Sequence, residues 1–295
     1  MITGKNIKIK YGDRVILDDI DFEINKGING FLGANGVGKT TLFKLIIGEL
    51  KPFSGEIKIV GADRDIIIGY LPQNFKGYPE MSVKEFLYYI AELKMELKKI
   101  KKSVIKKEVE DKIEIFSLNG LEKVKLKKLS GGQLRRVGLA QATLFDPYII
   151  ILDEPTTGLD PKERVKFRRY LTSLSENSIV LLSTHIVSDL QDSSNKIFIL
   201  KDGKIIIQGE ENDILDKYPM KAYKYYAKDI NSAEDIDSKF LVSNMHKCDA
   251  GYELRIISNN KPLDDAVEDR LKLEDIYYVN FSEDVENEIW NQKNI

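Results

Sequence analysis

Short runs of alternating apolar and polar residues open the chain. Ile20-Asp21-Phe22-Glu23-Ile24 has period two, and Ile7 to Ile24 predicts half-buried antiparallel strands. Ile28 to Leu32 is a short apolar strand that runs into a glycine-rich loop, and Thr40 to Ile47 then reads as a helix stopped at Gly48. Glu56 to Val60 and Ile66 to Leu71 predict further strands. From about Pro79 to Gln141 the spacing turns helical, opened by Met81-Ser82-Val83-Lys84-Glu85-Phe86-Leu87. Tyr148 to Leu152 and Ser178 to Ser183 are continuous apolar runs, as expected of strands covered on both faces of a parallel sheet. Ile197 to Ile207 predicts a hairpin around Asp202-Gly203. Further on, Tyr252 to Ile257 reads as a strand and Pro262 to Leu271 as a helix.

Composition refines this picture in three places. The 295 residues are 42% hydrophobic and 31% charged, too apolar for disorder, with net charge -2, so no whole-chain attraction to nucleic acid is implied. Residues 212–295 carry 18 acids and 11 bases, net -7, against +5 for the rest. That shift, near Ile214 to Pro219, predicts a large domain over 1–213 and a small accessory one over 214–295. The single cysteine, Cys248, excludes an internal disulfide and fits a reducing compartment. Met1 to Lys10 is polar and alternating, unlike a secretory signal, and no apolar run approaches the roughly 20 residues that cross a bilayer. If the protein works at a membrane, another chain is expected to cross it.

The chemistry is concentrated in two glycine-rich stretches and one pair of acids. Gly33-Ala34-Asn35-Gly36-Val37-Gly38-Lys39-Thr40 matches the P-loop pattern, which arises by chance in roughly 1% of chains this long. Glycines there let backbone N–H groups curl around phosphate oxygens, and the helix that follows adds partial positive charge. Lys39 is placed to reach the β and γ phosphates and Thr40 to ligate Mg²⁺. The bland alternative, a glycine-rich turn, does not explain a strand before and a helix after. Ile149-Ile150-Ile151-Leu152-Asp153-Glu154 is an apolar strand ending in two carboxylates. Asp153 suits the Mg²⁺ shell, while Glu154, pointing elsewhere, suits polarising a water for attack on the γ phosphate. Leu129-Ser130-Gly131-Gly132-Gln133, before an amphipathic helix, offers a second anion-binding helix start. By chance that five-residue string occurs in fewer than about one in a thousand chains.

With these motifs in hand, 1–213 resembles the nucleotide-binding domain of ABC transporters, whose signature is LSGGQ. The resemblance implies an α/β fold: a P-loop NTPase core with an N-terminal antiparallel β subdomain and a helical subdomain inserted at about 77–145; the accessory domain after it reads from its own strand and helix patterns as small and α+β. It implies ATP and Mg²⁺ as cofactors, and two chains facing head to tail. Each ATP then lies between the P-loop of one chain, including Thr41, and the signature Ser130 to Gln133 of the other. Tyr11 resembles the aromatic residue that stacks on adenine; its alternative is a half-buried strand tyrosine. Gln73, in Gly69-Tyr70-Leu71-Pro72-Gln73, resembles the Q-loop glutamine that contacts Mg²⁺ and the attacking water. Gly158-Leu159-Asp160 resembles the D-loop, and His185 the switch histidine that holds the γ phosphate. His246 has no such context.

The implied partners are a separately encoded transmembrane permease and a second nucleotide-binding subunit, as a homodimer; no nucleic acid is expected. The implied location is the cytoplasmic face of the cell membrane, held through the permease. Ile66 to Gln73 and Leu181 to Asp189 are similar to the exporters of drugs, antibiotic peptides and sodium, whose extension often ends in a segment like Leu273-Glu274-Asp275-Ile276-Tyr277-Tyr278. Import remains the alternative. Ala34 stands where that family often has proline, a turn position rather than a chemical one. Ribosome-acting relatives usually join two ATPase domains, and DNA-repair relatives insert a long coiled coil; about 60 residues separate Gln73 from the signature here. A degenerate regulatory subunit is expected to lack Glu154 or His185, and a generic P-loop kinase leaves Leu129 to Gln133 unexplained. Seven lysines between Lys94 and Lys107 read as a solvated helix face, with attraction to anionic lipid as the rival reading.

Overall fold

The computed structural model describes residues 1–60, 66–98, 101–191 and 193–282, with 95–98 described by their backbone. They fall into two compact units, Met1–Gln208 and Gly209–Ile295. The compositional boundary at 213/214 lies inside a helix of the second unit, α6 (Glu211–Lys217).

In the first unit, β1 (Ile2–Tyr11), β2 (Arg14–Ile24) and β4 (Ser54–Ile59) form an antiparallel sheet in the order β2-β1-β4. A second sheet of six strands has the order β5-β6-β7-β3-β8-β9, from β5 (Ile68–Leu71), β6 (Ile149–Asp153), β7 (Ile179–Thr184), β3 (Gly27–Leu32), β8 (Lys196–Lys201) and β9 (Lys204–Gly209). The pairs among the first five strands of that order are parallel. Every residue of β3, β6 and β7 is buried, which is why these strands read as unbroken apolar runs. The hairpin β8–β9 turns on Asp202 (φ 49°) and Gly203 (φ 73°), the two positive angles that match strand twist. Phe31 stacks on Phe198 at 4.7 Å and meets Phe43 edge-on at 5.3 Å, in a core that also takes Ile7, Leu17 and Ile24 from the antiparallel sheet. Burying each such side chain contributes roughly 1.5–3 kcal/mol.

Helix α1 (Lys39–Ile46) follows the glycine-rich loop. Helices α2 (Val83–Lys98), α3 (Lys102–Ile115) and α4 (Gly131–Ala142) make up the inserted region, and α5 (Pro161–Ser175) leads into β7. Ser82 and Glu85 close a reciprocal cap on α2, as the sequence around Met81 suggests. Of the lysine run, Lys101, Lys102, Lys106 and Lys107 are exposed. Lys94 is not on a solvated face: it is buried, and its ammonium donates to the carbonyls of Gln141 and Leu144. Lys99 lies outside the described residues.

The second unit is an antiparallel sheet in the order β11-β12-β10-β13, built from β10 (Lys221–Ala227), β11 (Val242–Cys248), β12 (Gly251–Ser258) and β13 (Val267–Asp269), with α6, α7 (Ile230–Asp237) and α8 (Leu273–Phe281). The helix expected over Pro262 to Leu271 does not form. Leu263 packs in one apolar cluster and Leu271 in another, so the helical-looking spacing is not one stripe. The backbone of Val267 to Asp269 pairs with Lys224 to Ala222, and Asp269 meets the buried guanidinium of Arg255.

Candidate nucleotide site

Four parallel strands end at one edge of the sheet, and each delivers one motif there. β3 runs into the P-loop, β5 into Gln73, β6 into Asp153-Glu154 and β7 into His185. The registers Leu71↔Leu152, Asp153↔Ser183 and Leu32↔Thr184 hold these ends level. Those of β3, β5 and β6 open on a cavity of about 300 Å³, and His185 reaches it through Glu154.

Gly36 (φ 85°) and Gly38 (φ 110°) take left-handed conformations in the loop, and a Cβ on Gly38 would lie 2.5 Å from Leu17. That curl exposes Asn35, Gly36, Gly38, Lys39, Thr40 and Thr41 to the cavity. Lys39 is buried; its ammonium donates to the Gly33 carbonyl at 2.6 Å and that of Ala34 at 3.1 Å, and lies 3.6 Å from Glu154 Oε1. Burial pushes it below the usual lysine range, against the opposing pull of Glu154 and Asp153.

Both oxygens of Asp153 are held: Thr40 Oγ1 donates to Oδ2 at 2.6 Å and Ser183 Oγ to Oδ1 at 2.5 Å. Glu154 sits at φ 52° with its side chain buried, a backbone conformation unusual for a non-glycine residue and fixed by its N–H donating to Ser183 O and Oγ. Its Oε2 is 2.9 Å from His185 Nδ1, while Oε1 has no hydrogen-bond partner. Gln73 faces the same space, and Tyr11, half exposed, lines its outer wall with Arg14 and Ile16. Thr40, Asp153 and Gln73 offer a hydroxyl, one carboxylate and an amide, all hard oxygen donors. Among the described residues no group of three or more His, Cys, Asp and Glu could hold a metal. Such a set suits Mg²⁺, which takes one or two carboxylates together with phosphate oxygens.

The signature residues are not in this cavity. Ser130 caps α4: its Oγ accepts from Gln133 N at 3.2 Å while Gln133 Oε1 accepts from Ser130 N at 2.9 Å. The hydroxyl hydrogen of Ser130 is left to donate elsewhere. A Cβ on Gly131 would meet nothing within 4 Å, whereas one on Gly132 would lie 2.6 Å from the Gly158 carbonyl. Gly132 therefore packs the signature against the Gly158-Leu159-Asp160 segment. Asp160 caps α5, accepting from Glu163 N at 2.7 Å. The capping boxes Ser130–Gln133 and Asp160–Glu163 were legible as Ser/Asp followed three residues later by Gln/Glu. Arg14 and Ile16 carried no signal beyond their place in a hairpin with Tyr11. Asp189, buried, accepts from Thr156 and Thr184 and so braces the segments that carry Glu154 and His185.

The ABC transporter family model matches residues 17–157. The ABC transporter ATP-binding protein YhaQ of Bacillus subtilis (strain 168) is 31% identical over 250 residues, covering 83% of this chain and 80% of that protein. This chain belongs to the ABC transporter ATP-binding proteins. ABC transporter G family member 23 of Dictyostelium discoideum is 34% identical over 229 residues, which are 74% of this chain and 32% of that protein. The chain thus spans about a third of the length of such G family relatives. A dimeric, post-hydrolysis structure of the ATP-binding cassette MJ0796 with ADP and Pi aligns at TM-score 0.64 and 26% identity, over 71% of this chain and 98% of that one. Other relatives are named for Nod factor export, lipopolysaccharide export and Fe(3+) ion import, so the names span both directions of transport. Among the described residues no helix is long and apolar enough to cross a membrane.

Proposed function

We propose that this chain binds ATP between two of its own copies, hydrolyses it, and so energises a separate membrane-spanning permease at the cytoplasmic face of the membrane. One observation carries the reading: Lys39, Thr40, Asp153, Glu154 and Gln73 converge on one cavity while the equally anion-suited start of α4 lies outside it. A single triphosphate uses both only if a second chain brings its own α4 to the cavity. The dimeric MJ0796 cassette supports that arrangement.

In this reading Tyr11 stacks on the base, and Asn35, Gly36 and Gly38 turn backbone N–H groups toward the phosphates. Lys39 leaves the carbonyls of Gly33 and Ala34 for the β and γ oxygens. Thr40, Asp153 and Gln73 would hold Mg²⁺, which would neutralise charge on the β and γ oxygens. Glu154 accepts the proton of the attacking water, and its Oε1, which accepts no hydrogen bond and loses the 3.6 Å approach of Lys39 as that ammonium moves to the phosphates, is the acceptor for it. His185, already on Glu154 Oε2, orients that carboxylate and offers its other nitrogen to the γ phosphate. Ser130 of the second chain donates to the same phosphate. The direction we favour is export, supported by the likeness of Ile66 to Gln73 and Leu181 to Asp189 to exporter ATPases. The residues after Asp213 serve regulation or dimer support.

Purified chain given Mg-ATP should release phosphate, and Lys39→Ala should abolish the release. Folded wild-type protein that binds no ATP at millimolar concentration would refute the reading. Transport direction is read by reconstituting the chain with the permease that co-purifies with it and following substrate across sealed vesicles.

A further inference from the structure

One buried charge next to this site has no part in the phosphate chemistry. Arg135 lies on α4, five residues after Ser130, and is 6% exposed. Its Nη1 donates to the carbonyls of Pro72 and Gln73 at 2.9 Å each, and its Nε to the Pro155 carbonyl at 3.4 Å. Its Nη2 donates to the carbonyls of Asp153 and Glu154. All five acceptors are main-chain carbonyls. They belong to the loop leaving β5 and to the last residue of β6 with the loop that follows it, and each of the two segments carries a residue that faces the cavity. Burial pushes this guanidinium below the usual arginine range, opposed by the nearby charges of Asp153 and Glu154. An apolar side chain would fill the space without that desolvation cost. What arginine alone supplies is a rigid fork whose donors point to both loops at once; a lysine ammonium is a point donor and cannot span them.

We propose that Arg135 is a positioning residue, fixing the Gln73 loop against the Glu154 loop and tying both to the helix that begins with the signature. This rests on the ATPase reading above. Because Ser130 and Arg135 ride on one helix, a signature engaged with the ATP of one site holds the base of the other site in place through α4. The contact then works between sites as well as within one.

The test uses the full chain, assembled with its permease. Arg135→Met and Arg135→Lys should bind ATP within about threefold of wild type and leave KM within threefold, while kcat falls at least tenfold. In a Glu154→Gln background the positioned base is gone and only the Gln73 loop is left to misplace, so adding Arg135→Met should lower residual turnover no more than threefold. A loss under tenfold in the first background, or above threefold in the second, overturns the proposal. Arg135→Lys keeps charge and stem and replaces Arg135→Met if that variant does not fold. Hydrogen exchange gives a readout without turnover: in Arg135→Lys the loops 73–75 and 154–157 should exchange at least tenfold faster while the rest of α4 stays as in wild type. Unchanged exchange in both loops overturns the proposal even if the wild type hydrolyses nothing. A wild type that is inactive but shows the exchange change counts against the ATPase reading and not against the role of Arg135.

Discussion

Replacing Glu154 with Gln keeps its size and removes its basicity. The neighbouring groups already have other tasks. Both oxygens of Asp153 already accept hydrogen bonds, from Thr40 and Ser183, and His185 is engaged through Nδ1 by the residue being replaced. The whole general-base contribution is therefore at stake, about 10²–10⁴ in rate. That is about 2.7–5.4 kcal/mol of barrier. Binding should survive, because the P-loop residues that line the cavity, Lys39 and Thr40 among them, are untouched and Lys39 loses only the 3.6 Å approach of Glu154 Oε1. Stability should hold within about 1 kcal/mol, since the oxygen replaced is buried without a hydrogen bond and Gln can still meet His185. Phosphate release, ATP titration and urea unfolding of the same preparation separate these effects. ATP should also accumulate unhydrolysed and hold two chains together on a sizing column. Turnover within tenfold of wild type in folded protein would place the base elsewhere, and loss of binding with turnover would make Glu154 a binding residue.

Four further outcomes follow from the packing. A chain ending at Gln208 should keep its ATP affinity within about threefold, because every residue lining the cavity lies in the first unit; a folded truncation that binds no ATP contradicts this. Arg255→Met takes from Asp275, 2% exposed, the 2.7 and 2.8 Å bonds of its only charged partner among the described residues and leaves a buried carboxylate on the neutral donors Ser243 Oγ and Lys272 N–H, which should cost the second unit about 3–5 kcal/mol by urea unfolding. Burial raises the Asp269 carboxyl, but the bonds from Arg255 and the Arg270 N–H prevail and hold it below the usual range. Its contribution is therefore present at neutral pH and disappears as pH falls through that depressed value, which acid unfolding of wild type against Arg255→Met should reveal. Gly69→Ala puts a methyl 1.9 Å from the Ala142 carbonyl and should cost about 1–3 kcal/mol by forcing β5 from α4.

The parts of the site that sequence made visible are those carried by strand ends and by glycines. An apolar run that stops at Asp153-Glu154, or a loop of Gly33 to Gly38, is a local signal, and buried parallel strands bring such signals to one edge whatever lies between them. Arg135 was invisible for the opposite reason. Its partners are backbone carbonyls, which every residue has, so no side chain marks the contact from the other side. A charge run shows nothing of the carbonyls of Gln141 and Leu144, at and beyond the end of α4, that take Lys94 out of solvent. Pro262 to Leu271 failed because its spacing fits a helix while its neighbours, β10 and Arg255, are distant in sequence. Ser130 carries two readings at once: it caps α4 within its own chain and keeps a hydrogen to give to another.

The central claim is that this donor acts on ATP held by a second chain, and mixing two crippled chains tests it. Lys39→Ala and Ser130→Arg should each be inactive alone. Mixed in equal parts with the permease, half the dimers pair one of each, and such a dimer has one site with intact Lys39 and intact Ser130. Activity should return to about a quarter of wild type if chains pair at random and sites fire independently. Mixtures of wild type with Lys39→Ala report in parallel whether one intact site suffices. If it does, and the two mutants together stay inactive, the signature does not act across the dimer and the account is wrong.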